Sequence, residues 1–307
     1  VQGFNFGLDF KYVLGEDNVE YGIEVVGMQT DFQTFNSLQV AVEQQENTTE
    51  LGAYVDYTIK RGPWIVQPSV RLQYYSSLAR ARMEPRFGVK YKASERLRLK
   101  AAGGMYSQNV ISANSDRDIV NLFYGFLAGP QNLQDDIQLP NGEEREIVHS
   151  LQTANHAVAG FEFDLTERLN INTEGYIKHF TQLTNFNRNK LFPDNTTYAD
   201  EPDAFKKDFI VERGRAVGAD VVVKYEERET YLWFVYGLGD VDRWDGFRWY
   251  DPVFDRRHNV NLVASQGFGN GAWLVSARWN LGSGLPFTQS QGYYQAPGTG
   301  GGIDGDY

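Results

Sequence analysis

Residues 4–12 read Phe4-Asn5-Phe6-Gly7-Leu8-Asp9-Phe10-Lys11-Tyr12. In an extended chain successive side chains point to opposite faces, so Phe4, Phe6, Leu8, Phe10 and Tyr12 share one face. Asn5, Gly7, Asp9 and Lys11 share the other. No helix sorts these residues, because helical faces recur every three to four positions. The stretch predicts a strand with one wholly apolar side.

The same alternation returns along the chain. Val19, Tyr21, Ile23 and Val25 oppose Glu20, Gly22 and Glu24, and Leu51, Ala53, Val55, Tyr57 and Ile59 oppose Gly52, Asp56, Thr58 and Lys60. Trp64, Val66, Pro68, Val70, Leu72 and Tyr74 oppose Gln67, Ser69, Arg71 and Gln73. Phe87, Val89 and Tyr91 alternate with Arg86, Gly88 and Lys90, and Leu97, Leu99 and Ala101 with Arg96, Arg98 and Lys100. In the second half Ala157, Ala159, Phe161, Phe163 and Leu165 oppose Gly160, Glu162 and Asp164. Leu169, Ile171, Thr173 and Ile177 oppose Asn170, Asn172, Glu174 and Lys178. Less regular segments lie near 212–225 and 228–241, and two more carry Val260, Leu262 and Ala264, then Trp273, Val275, Ala277, Trp279 and Leu281. The count is about twelve strands, each roughly 12–14 residues long, against about 5–6 in ordinary sheets. At about 3.3 Å per residue and a tilt near 40°, such a strand climbs about 30 Å, the depth of a bilayer's hydrocarbon layer.

The connections alternate short and long. Short ones fall at 15–18, 60–63, 92–95, 165–168, 226–229 and 266–271. The others lie at about 31–47, a tight 77–80, 109–150, 184–211, 242–255 and 284–307. Short turns at one end and long loops at the other mark an antiparallel meander in an outer-membrane β-barrel, the long loops facing outside. Tyr12, Tyr21, Tyr57, Trp64, Tyr91, Phe163, Tyr225, Tyr231 and Trp273 all lie near a short turn and are expected to form an aromatic girdle. The polar face holds Asp9, Lys11, Glu20, Glu24, Asp56, Arg71, Arg86, Lys90, Arg96, Arg98, Lys100, Glu162 and Glu174. Such a face requires pairing, or a wide lumen that is wet or plugged.

Composition narrows the function. The chain has 307 residues and a net charge of −11, with 18 Tyr, 20 Phe and 6 Trp. That charge argues against a nucleic-acid partner, which needs clustered Lys and Arg. No cysteine occurs, which removes disulfides and thiolate metal sites. The four histidines, 149, 156, 179 and 258, have no metal-ligand spacing. No serine sits in a nucleophile elbow and no phosphate loop is present, so neither an enzyme nor a bound cofactor is expected. Val1-Gln2-Gly3-Phe4 already reads as strand, so a processed chain or one that begins internally is expected, and its apolar runs fall short of the ~18 residues of a spanning helix.

The meander is expected to be a partial barrel. An open set of strands exposes two edges, which lipid does not tolerate, so either the twelve close on themselves or further strands complete the wall. The residues 250–294, YDPVFDRRHNVNLVASQGFGNGAWLVSARWNLGSGLPFTQSQGYY, resemble the late barrel of TonB-dependent receptors of Bacteroidota. There a D-x-x-F-D-R-R-H segment opens a strand and an S-G-x-P-F-T segment follows the next; here these are Asp251 to His258 and Ser283 to Thr288. Residues 97–130 resemble the same receptors. The resemblance implies a plugged barrel of about 22 strands, of which this chain is the middle-to-late part. It also implies import of a siderophore, glycan or peptide, coupling to the TonB complex through an N-terminal region not seen here, and outer-membrane lipid or lipopolysaccharide as surroundings. A surface lipoprotein is a further partner to be expected. The alternatives are a closed twelve-stranded passive channel, in which strands 2–14 and 271–283 pair, and a scaffold within a larger outer-membrane complex.

Two loops offer substrate contacts. In 109–150 these are Asp116, Arg117, Asp118 and Tyr124, near Phe123 and Phe126. In 242–255 they are Trp244, Trp249 and Tyr250, beside Phe247. Exposed aromatics suit sugar or apolar ligands, although they also pack on one another. Asp251, Asp255, Arg256, Arg257 and His258 read as a structural motif in which Asp255 pairs with Arg256 or Arg257 and returns the loop to the wall.

Overall fold

The computed structural model describes residues 2–35, 41–112, 126–187 and 190–286, and two short strands, Tyr294–Gln295 and Ile303–Asp304. Twelve long strands make the wall. They are β1 (Gln2–Leu14), β2 (Asp17–Phe35), β3 (Ala41–Arg61), β4 (Trp64–Tyr75), β5 (Arg80–Lys92), β6 (Leu97–Gln108), β7 (Gln152–Asp164), β8 (Leu169–Phe186), β9 (Phe209–Glu227), β10 (Thr230–Trp244), β11 (His258–Phe268) and β12 (Trp273–Gly282). Each pairs antiparallel with its chain neighbours, and a two-residue strand, Trp249–Tyr250, pairs back onto β10.

The register carries the alternation from strand to strand. One row runs Phe10, Tyr21, Val55, Val70, Pro85. The adjacent row runs Lys11, Glu20, Asp56, Ser69, Arg86, Gly104, His156, Lys178. A one-residue slip would exchange these rows wholesale, so the pattern fixes the pairing. Phe4, Phe6, Leu8, Phe10, Ile23, Leu72, Phe87, Phe161, Ile177 and Trp279 are all exposed on the apolar face. An apolar surface of this extent belongs in lipid.

All six short connections fall where the sequence places them. Gly15 (φ 65°) and Gly62 (φ 55°) turn the chain in the left-handed region, where a Cβ would be strained. Near them Phe10 stacks on Tyr21 at 5.4 Å and Trp64 packs on Tyr91 at 4.4 Å, on the apolar face. Tyr231 departs from the expected girdle. It pairs with Glu226 and Ser265, on the polar face, with the Lys224 ammonium 5.8 Å from its ring centre.

The other end differs from expectation in extent. The stretch 31–47 is expected as a loop, yet β2 runs to Phe35 and β3 starts at Ala41. Thr and aromatic residues there favour strand, and each strand pairs the other's backbone without interruption. Likewise β8 reaches Phe186 and β9 begins at Phe209, narrowing the link expected at 184–211. At about 3.3 Å per residue, these longest strands stand roughly 15–20 Å beyond a hydrocarbon layer. Within 109–150, Val110–Ser112 pairs with Phe126–Ala128 and Asp136–Gln138 with Glu144–Glu146. The apolar core lies at this end, where Ile111, Leu127 and Phe209 pack with Leu133 and Phe186.

Among the described residues β1 pairs only with β2, and β12 only with β11. The pairing that a self-closed twelve-stranded channel requires is not formed.

Candidate functional site

The polar face is a network of ion pairs. Arg71 meets Glu24 at 2.7 Å, Arg86 meets Glu84 at 2.7 Å, and Lys90 meets Glu162 at 3.2 Å. Arg98 bridges Glu162 at 2.9 Å and Asp164 at 2.6 Å, and Lys100 pairs with Glu174. The alternation places a charge at each of these positions, and the register brings opposite signs onto neighbouring strands. The solvent-facing pairs among them add little stability, about 0–1 kcal/mol each. Their effect is to give the face local neutrality without making it apolar.

Toward the loop side the network closes over a polar cavity of about 260 Å³, lined by Glu50, Arg71, Gln73, Tyr75, Glu84 and Arg86 among others. Tyr75 is buried and its hydroxyl lies 2.8 Å from Ser107 Oγ. Ser107 in turn donates to Glu84 from its backbone N–H at 2.7 Å and from its hydroxyl at 2.5 Å. The Arg86 guanidinium lies 4.6 Å from the Tyr106 ring centre, and Tyr106 stacks on His156 at 4.5 Å. Hydroxyls, amides and charges all converge on the cavity, which suits a hydrated polar ligand better than an apolar one.

Beyond the wall the long connections are tied together. Glu212 is fully buried and accepts from the Tyr250 hydroxyl at 2.8 Å on each carboxylate oxygen. Asn185 donates to it at 3.3 Å, and Arg243 lies 3.6 Å away. Buried Lys190 pairs with Asp208, and Asn187 donates to Ala204 O and Lys207 O at 2.9 Å.

The expected contact residues fare differently. Asp116, Arg117, Asp118 and Tyr124 lie outside the described residues. Trp244 and Trp249 lie together, rings 5.6 Å apart, with the Trp244 indole donating to Gln138 O at 2.7 Å. Tyr250 is committed to Glu212, while Trp249 and Phe247 keep much of their surface exposed. Most of this aromatic group therefore holds the loop, and Trp249 and Phe247 present a stacking surface.

The motif residues hold a junction, and Asp255 lies within ion-pair distance of Arg257, one of its two expected partners. Buried Asp255 accepts from Val241 N–H at 3.1 Å and lies 3.8 Å from Arg257, whose closer partner is Asp240 at 2.6 Å. Burial pushes the Asp255 carboxyl above the usual carboxylate range. Arg256 lies over Gly282, where any Cβ would collide with its guanidinium. Asp251 is exposed. His258 accepts or donates a bond with the Tyr236 hydroxyl at 2.9 Å. Its backbone N–H donates to Ser283 Oγ at 3.0 Å, and Ser283 N–H donates back to His258 O at 2.9 Å. The two segments quoted for the family resemblance thus meet, joining the start of β11 to the end of β12.

No protein-family model matches this sequence, and no curated protein does. Solved structures do match. The alcaligin outer-membrane receptor FauA of Bordetella pertussis aligns with a TM-score of 0.57 at 13% identity, over 92% of this chain and 46% of that one. FpvA of P. aeruginosa, solved with bound pyoverdines, gives 0.57 at 11% identity, over 91% and 37%. The outer-membrane transporter YddB of Escherichia coli gives 0.50 at 11% identity, over 86% and 39%. The chain spans less than half the length of these structures. Its fold is that of the outer-membrane receptor and transporter barrels.

Proposed function

We propose that this chain is part of the wall of a TonB-dependent outer-membrane transporter that imports a scarce nutrient: a siderophore, a glycan or a peptide. The observation that carries this reading is a twelve-strand meander with an apolar outer face, a charged inner face, and first and last strands that do not pair with each other among the described residues. A wall of this kind is completed by other strands, and its charged inner face is solvated by water or a polar plug. Receptors for siderophores and a copper transporter share the fold. On this reading the long connections face outside, lipopolysaccharide surrounds the apolar face, and a surface lipoprotein or other partner covers the loop side. The resemblance of 250–294 supports a Bacteroidota source and a place in the middle-to-late part of a barrel of about 22 strands. The test is uptake in the native host, with the gene deleted and restored, in the presence and absence of TonB. The expected result is growth on one limiting nutrient that requires both. TonB-independent diffusion of small solutes through the purified full-length protein would overturn the reading.

A further inference from the structure

Lys100 and Glu174 form an ion pair although they stand on β6 and β8, with β7 between them. The residue that faces both in register is Gly160. Two more glycines of the polar face sit the same way. Gly22 on β2 lies between Asp9 of β1 and Tyr54 of β3, and the Tyr54 hydroxyl donates to Asp9 at 2.6 Å across it. Gly52 on β3 faces Glu24 of β2 and Gln73 of β4, and Arg71 of β4 reaches Glu24 at 2.7 Å over it.

Strands that are second neighbours lie about 9–10 Å apart, twice the spacing of a paired couple. No backbone hydrogen bond spans that gap. A side chain can, provided that it runs low over the middle strand. A Cβ on Gly52 would stand 2.7 Å from Arg71 Nη2 and 2.9 Å from Gln73 Oε1. On Gly22 it would stand 2.9 Å from the Tyr54 ring, and on Gly160 2.9 Å from Glu174 Cγ. Tyr176 of β8 takes the same low path: it lies against Gly218 of β9, and its hydroxyl is 3.4 Å from the place of a Cβ on Gly239 of β10. Gly88 of β5, also on the polar face, differs. A Cβ there would meet only Gln67, at 3.8 Å or more. Lys11 and Glu20 are direct register partners on adjacent strands, and their pair needs no gap.

The backbone ladder ties each strand to its two neighbours and no further. A bridge over a glycine closes only when three strands hold register together. A one-residue slip of β3 would turn Gly52 away and bring Leu51 or Ala53 under Arg71. We infer that Gly22, Gly52 and Gly160 are saddles over which side chains two strands apart bond to each other, a conformational lock on the register of the charged wall. The lock requires the wall and does not depend on the transporter reading.

The test has two arms, both on the full-length protein in lipid vesicles. In the first, a water-soluble carbodiimide activates carboxylates, and a lysine amine in contact with one displaces the urea to leave an amide. Peptide mapping by mass spectrometry is expected to find Lys100 joined to Glu174, beside the adjacent-strand link of Lys11 to Glu20. The second arm is a double-mutant cycle for Glu24 and Arg71, with E24Q and R71M, read by urea unfolding. The pair is expected to be coupled by about threefold in the unfolding equilibrium, within the range of partly exposed ion pairs. In G52A, where the new Cβ meets only side-chain ends, that coupling is lost, and in G88A it is unchanged. A Lys11–Glu20 link without a Lys100–Glu174 link, or a coupling that survives in G52A, overturns the inference. The cross-linking arm uses the unaltered protein, so it decides the matter even where G52A does not fold.

Discussion

Where β1 hands over to β2, the chain turns through Gly15 and Glu16, and where β3 hands over to β4 it turns through Gly62 and Pro63. These two turns are bonded to each other: Arg61 and the Lys60 N–H both donate to Asp17 at 2.8 Å, so each turn reaches its neighbour along the wall. At the opposite end Trp244 donates to Gln138, 106 residues away in sequence, and Asn132 donates to Asp208, 76 residues away. One end of the wall is set by tight turns and by bonds between turns that stand side by side. The other is set by side chains that find each other only once the wall exists.

The sharpest way to break that comparison is Glu212→Ala. It strips a buried, charged acceptor from Tyr250, Asn185 and Arg243, and breaking a buried ion pair in this way costs about 3–5 kcal/mol. Limited proteolysis of the loop side is expected to accelerate while the wall strands keep their protection. Equal protection of both regions in the variant would remove the distinction between the ends. Next is Val70→Arg, which puts a charge on the apolar face near mid-strand. It is expected to cost about 2–4 kcal/mol in lipid, against less than about 1 kcal/mol for Gln67→Arg on the polar face beside Asp56. Urea titration in lipid vesicles measures both, and similar costs would mean that the faces are assigned wrongly. Ser283→Ala removes the acceptor of His258 N–H and is expected to cost about 1 kcal/mol. Hydrogen exchange at His258 should quicken, with no change at the short turns.

The smallest effect concerns pH. Asp255 has a carboxyl pushed up by burial, so its folded form prefers the proton. The contribution to stability is full below the ordinary carboxylate range and is lost as pH rises through the raised value. Melting curves of wild type and Asp255→Asn should diverge across that window, the variant losing this part of the slope. Parallel curves would show that Arg257 and Val241 already compensate the charge.

The wall was legible because its determinants repeat every second residue. Asn5 to Lys11 on one side and Phe4 to Tyr12 on the other leave one register open, and Gly15 and Gly62 mark where it reverses. Tyr231 was misplaced because 228–241 is apolar on both faces, with Leu232, Trp233, Phe234 and Val235 in succession, and such a run has no phase. The stretch 31–47 looked like a loop because its residues are polar, although strands beyond the hydrocarbon layer have no apolar face to show. The loop-side partners Glu212, Asn187 and Lys190 carry no local pattern at all. Arg80 and Arg82 did carry one: they continue the inward alternation of Arg86 and Lys90 by two more steps. What the alternation alone could not say is that carboxylates pair with the deeper cations, while these two meet none among the described residues.

The meander has a kinetic consequence. Each strand pairs with its chain neighbours, so the wall can assemble hairpin by hairpin with small loop-closure costs. The bond between Trp244 and Gln138 must wait for the intervening strands β7 to β10. Refolding into lipid should therefore show two phases, strand protection first and protease resistance of the loops after it. Glu212→Ala should remove the second phase and leave the first intact.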